Sequence, residues 1–176
     1  MKDEPDRIDM FHDAPQVAQL YTNWLYTGRL NVALHCRSTN DSWERTAVEA
    51  EKVFVVLAQA YVFGAKVLDT TYQNVVVKMF HEAKTAAGFN PGSECVSIVF
   101  DAVSAGNPLR RFIADCIARD AFDNGNGVEW CTYIEQYPQE ALAEAMKSMI
   151  SIRAKPDSAK RPYDKDMKAY LEKEDY

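Results

Sequence analysis

Two adjacent arginines, Arg110 and Arg111, stand near the start of the segment "NPLRRFIADCIARDAF". They are the charges in this sequence whose placement most asks for a use. With Asn107 as a cap and Pro108 in the first turn, the segment reads as a helix, and both arginines then lie where the helix dipole favours acids and opposes cations. Guanidinium groups offer paired N–H donors to carboxylates. Two uses follow: a salt bridge to an acidic loop of the same domain, or capture of a protein partner's carboxylates. Arg110 and Arg111 are therefore the candidate partner-binding residues.

Other chemistry is sparse. His12, His35 and His81 are scattered, and the adjacent His35 and Cys36 project in different directions on regular backbone. No metal site and no cofactor is expected. Cys36, Cys95, Cys116 and Cys131 form no CxxC pair and read as free thiols, with Cys116 on the inward stripe of its helix as a small hydrophobe. Glycine-rich phosphate loops, GxSxG, HExxH and calcium-loop patterns are absent, and the carboxylates fall at helix starts or on polar faces. The expectation is a protein that is not an enzyme. A net charge of −6 argues against nucleic acid as a partner. A nucleic-acid binder using Arg110, Arg111 and the basic part of the tail stays as a third reading. The acidic start, "MKDEPDRIDMF", lacks a signal-peptide core, and the most apolar run, Val53 to Ala65, is too short to span a bilayer. An intracellular protein, cytoplasmic or nuclear and without a membrane partner, is expected.

The elements that must position these residues read as helices. Val17, Leu20, Tyr21, Trp24 and Leu25 share a face between Pro15 and Thr27, and Gly28 is the stop. Asp41 and Glu44 in "DSWE" suggest a capping box. Beyond it Trp43, Ala47, Ala50, Phe54, Leu57, Tyr61 and Gly64 make one stripe of a central helix. A third helix runs from the Asp69 cap to Gly88, with Tyr72, Val75, Val76, Met79, Phe80 and Ala83 inward. "CVSIVFDAVSAG" is ambiguous between strand and helix, and its helical neighbours favour helix. After the arginine-bearing helix come a "DNGNG" loop, a short helix over Val128 to Gln136, and another from Pro138 through Leu142, Met146, Met149 and Ile150. Arg7 to Phe11 alternates like a half-buried strand. The whole predicts an all-α bundle of six to seven helices, with that one short strand as an N-terminal candidate. Residues 1–36 form a first strand and helix, 41–152 a helical region packed with it, and 153–176 a mixed-charge tail. Within the tail "KRPYDKDMKAY" reads as a plain terminus, with a docking peptide as the other use.

Four segments occur in an order that resembles a fungal BTB/POZ group: "APQVAQLYTNWLYTGRL", "AQAYVFGAKVLDTTYQNVVV", "GNPLRRFIADC" and "YPQEALAEAM". The likeness spans Arg7 to about Ile150 and omits the strands with which such a domain begins. It implies the end of a BTB domain plus the helical region that follows, acting as a non-catalytic interaction module, scaffold or adaptor. In that family such modules also serve cullin-type ubiquitin ligases, but no cullin-contact motif here allows residues to be carried over. The competing reading is a small helical enzyme or small-ligand binder with an aromatic-lined pocket near Trp24, Trp43 or Tyr61.

Overall fold

The longest described helix is apolar on nearly every side along its second half, and three others pack against it. The computed structural model describes residues 15–34, 42–121 and 133–152. In order they form α1 (Pro15–Thr27), α2 (Trp43–Lys66), α3 (Thr70–Ala87), α4 (Ser93–Ala102), α5 (Pro108–Asp120), a 3₁₀ turn (Ile134–Gln136) and α6 (Gln139–Ile152). The fold is an all-α, multi-helix bundle. α2 packs on α1, α3 and α4, while α5 pairs chiefly with α6.

The stripe along α2 buries Ala50, Phe54, Leu57, Tyr61 and Gly64. Tyr72, Val76, Phe80 and Ala83 of α3 meet it, and Cys95, Val96 and Val99 of α4 close the same core from another side. Gly64 permits the tight α2–α3 crossing, because a Cβ there would stand 2.9 Å from the Tyr72 ring and from Gln73 Cγ. The turn between these helices is short enough to force Leu68 to φ 57, a left-handed conformation that a branched side chain adopts at a cost. At the far end of α3, Gly88 takes φ 72 and its N–H reaches the Lys84 carbonyl, as expected of a helix stop.

The caps agree with the sequence at Asp69, whose side chain accepts from the Tyr72 N–H, and at Asn107, which accepts from the Leu109 N–H. At α2 the cap is Ser42, which accepts from the Arg45 N–H at 3.3 Å. Arg45 thus occupies the position where a capping box would need an acid or amide, and Asp41 lies outside the described residues. "CVSIVFDA" is helical within α4. Of the helix expected over Val128 to Gln136, the described end is the 3₁₀ turn. The Arg7 to Phe11 strand, the "DNGNG" loop and the tail fall outside the described residues.

Two apolar stripes are narrower than the periodicity suggested. Leu25 is 57% exposed, because α1 lies at the bundle's edge and its neighbours touch only the Val17, Leu20, Tyr21 and Trp24 side. On α6 the buried residues are Ala141 and Ala145, while Met146 and Ile150 are 56% and 67% exposed. Small side chains let α6 approach α5 closely, which turns the larger residues outward.

The BTB/POZ resemblance is corrected by this architecture. A BTB domain requires a β-sheet core, and among the described residues there is no strand. Here the "WLYTG" helix buries its aromatic side on α2 and α3, with Tyr21 5.3 Å from Phe63 and 4.9 Å from Tyr72 between ring centroids. With the sheet go the fungal assignment and the BTB-type scaffold or adaptor role inferred from it. The four segments are amphipathic helices and caps, and that patterning serves any helical bundle.

Candidate functional site

Arg110, singled out in the sequence, is 4% exposed and sits between α5 and α6. Its Nη2 donates to Glu140 Oε2 at 2.8 Å and Glu144 Oε1 at 2.6 Å, and its Nη1 donates to the Val103 carbonyl at 3.1 Å. The guanidinium carbon also lies 4.2 Å from the centroid of the Phe100 ring, in cation–π contact. The acids that answer this arginine are carried by a helix of the same chain, where a loop was expected. Their (i, i+4) spacing on α6 lets both reach one guanidinium. Arg111 points to the exposed side. Asp115, four residues beyond Arg111 on the same helix face, accepts from the Ser148 hydroxyl at 2.5 Å.

The aromatic pocket expected near Trp24 and Tyr61 is filled. Trp24, Tyr21 and Tyr72 pack with centroid separations of 4.9 to 5.9 Å, and Tyr61 is buried with its hydroxyl donating to Asn107 Oδ1 at 3.0 Å. The Trp43 side chain lies outside what the structure describes. The Tyr21 hydroxyl donates to Asp69 Oδ2 at 3.1 Å, while burial pushes the Tyr72 hydroxyl up to about 12. These rings join α1 to α2 and α3.

An open groove of about 970 Å³ lies elsewhere, where the first half of α2, the end of α3, the start of α4 and the 3₁₀ turn converge. Its apolar walls include Ala47, Val48, Phe89, Tyr133 and Tyr137. Its charges are one-sided: Glu44, Glu51, Glu94 and Asp120 against Lys84 among the described lining residues. Lys84 is itself paired with Asp120 at 2.8 Å, so the remaining field belongs to the three glutamates. Asn90 adds a side-chain oxygen that is buried and lacks a hydrogen-bond partner among the described residues, an acceptor still open to a donor. A smaller depression of about 330 Å³, edged by Gln16, Gln19, Asn23 and Asn31, has no charged group among its described lining residues.

Glu51 is the residue around which the groove is built. From α2 it caps α4 across the fold: Oε2 accepts from the Gly92 N–H at 2.6 Å and Oε1 from the Cys95 N–H at 3.0 Å. Gly92, at the N-cap position of α4, has no side chain to do this itself. A Cβ there would stand 2.6 Å from Glu51 Oε2, so a side chain at this position would displace the carboxylate from its capping place. Burial pushes the Glu51 carboxyl above its ordinary value and outweighs the backbone N–H groups of Cys95, Gly92 and Glu94, with the neighbouring Glu94 charge adding to the rise. Burial likewise lifts the Cys95 thiol well above its usual range and the Tyr137 hydroxyl to about 12. Tyr137 closes this end by donating to the Pro91 carbonyl at 3.3 Å.

The sign of the pH effect follows from that shift. A carboxyl whose folded-state value is raised contributes stability that is complete below its unfolded value near 4.5 and is lost as pH rises through the folded value. Wild-type protein should therefore gain stability relative to Glu51→Gln as pH falls from about 7 to about 4. Urea denaturation across that range measures the difference, and a gap that widens in the opposite direction would contradict it.

Sequence reasoning placed Glu51 among the charges of an early helical turn and gave it no role. The one hint was a glycine at the start of α4 where a capping side chain is usual. Among the described residues, no three His, Cys, Asp or Glu side chains come together so as to hold a metal ion, and no helix is long and apolar enough to cross a membrane. Compared with protein families, with curated proteins and with solved structures, the chain matches none.

Proposed function

We propose that the chain is a non-catalytic binding domain whose groove takes a ligand carrying an ammonium or guanidinium group on an apolar body. The observation that carries this reading is the one-sided charge of the lining: Glu44, Glu51 and Glu94, with the groove's one described lysine already paired to Asp120. Carboxylates attract the cation and accept its N–H donors, while Phe89 and Tyr133 offer apolar surface and ring faces beside it. Glu51 supports binding over catalysis, because each of its oxygens already accepts a backbone N–H and its geometry serves α4. An intracellular setting, cytoplasmic or nuclear, belongs to the same reading; Cys95 and Cys116 are buried free thiols, the form that a reducing compartment maintains.

Calorimetric titration with tyrosyl-arginine amide, against tyrosyl-citrulline amide as its uncharged match, tests the proposal. The charged probe should bind about tenfold more tightly, a difference of ~1.4 kcal/mol, and should weaken as salt is raised. Glu44→Gln combined with Glu94→Gln should remove the preference, since both side chains are exposed and the fold does not depend on them. Equal affinity for the two probes in the unaltered protein would overturn the reading.

A further inference from the structure

The end of α6 and the rim of the groove lie together. α5 and α6 run side by side in the same direction: Arg110 meets Glu140 and Glu144 near the start of both helices, and Asp115 meets Ser148 further along. Carried on, that register sets Ile152, the last residue of α6, beside the last turn of α5, whose Asp120 lines the groove. The sequence that follows contains "AKRPYDK", in which Lys160, Arg161 and Lys165 flank Tyr163 and outnumber the one acid, Asp164. This is the chemistry the groove selects, cations on a partly apolar body. Lys160 is eight residues beyond Ile152, and a chain advancing up to ~3.4 Å per residue covers about 27 Å in that distance. Pro162 restricts the segment's backbone, which lowers the entropy lost on docking.

We infer that the segment 159–165 is the groove's own ligand, docking in cis and holding outside cationic ligands off. This rests on the groove's reading as a cation-binding site. A tethered segment acts at an effective concentration on the order of 1 mM, so with an intrinsic Kd of ~0.1 mM it weakens an outside ligand about tenfold. Its occupancy also falls as salt screens the three glutamates.

The test titrates a synthetic peptide of residues 159–165, with both ends blocked, into the full chain and into the full chain carrying Lys160→Glu and Arg161→Glu. Both substitutions lie outside the described residues. The variant should bind the peptide about tenfold more tightly than the unaltered chain, and raised salt should narrow that gap. Equal affinity in both proteins would overturn the inference and leave the groove reading standing. Failure of the peptide to bind either protein, while tyrosyl-arginine amide still binds, would also overturn the tail alone; failure of both probes would overturn the groove reading with it. Sedimentation decides between cis and trans: self-association of the unaltered chain, abolished in the variant, would mean that the segment docks on a second copy and would overturn the cis contact.

Discussion

Replacing Phe80 with alanine should lower the free energy of unfolding by about 4 kcal/mol. Phe80 is fully buried where three helices meet, stacked on Phe54 of α2 at 5.9 Å and edge-on to Phe112 of α5 at 6.5 Å between centroids. Truncation removes the transfer energy of the ring and leaves a cavity that close-packed helices fill only in part. Against a total stability of ~5–15 kcal/mol for a domain of ordinary size, that loss is a large fraction. Urea denaturation should show the midpoint falling with little change in slope, because the same surface is exposed on unfolding. Leu25→Ala, on the exposed side of α1, should cost less than about 1 kcal/mol in the same assay. A Phe80→Ala cost as small as that would show that the three-helix junction is not the core of this fold.

Arg110→Ala should be the most damaging change to a charged residue, at about 3 kcal/mol. The loss has several parts. Glu144, whose side chain is largely buried, would lose the cation 2.6 Å away; the Val103 carbonyl would lose its donor; and the Phe100 ring would lose the group on its face. Glu140 contributes least, because its carboxylate is mostly in solvent and is screened there. Arg110→Lys should recover only part of the loss, since one ammonium cannot spread its donors over two glutamates and a carbonyl as a planar fork does. The discriminating variant is Arg110→Met with Glu144→Leu. Replacing a buried pair by apolar side chains of similar size should cost less than removing the arginine alone, and a double-mutant cycle by urea denaturation measures the difference. Additive costs would mean that the Arg110–Glu144 pair contributes nothing of its own and that Arg110 acts through its other contacts.

The same arginine shows how far the sequence could be read. Its conflict with the dipole at the start of α5 was visible in "NPLRR", and so was the need for acidic company. The identity of that company was not, because Glu140 and Glu144 lie 30 and 34 residues away and meet it only when α6 lies along α5. The groove was less legible still. Glu51 reads locally as one more surface acid in a charged first half of α2, and its function depends on a glycine 41 residues later. The "WLYTG" helix misled in another way: its aromatic pattern and order matched a known family, yet among the described residues its rings bury against helices, with no sheet present.

What the sequence determined by itself was local. Periodicity of 3.6, a proline in the first turn of α1 and of α5, the Asp69 and Asn107 caps and the stop at Gly88 set the helices and the all-α class, since each acts over a few residues through backbone geometry and hydrogen bonding. Tertiary structure decided everything that depends on which faces meet. It set the narrow stripes of α1 and α6, buried Arg110, used Glu51 to cap a helix that is not its own, and gathered three glutamates around one groove. Those outcomes rest on packing and charge between residues distant along the chain, and no window of sequence contains both partners.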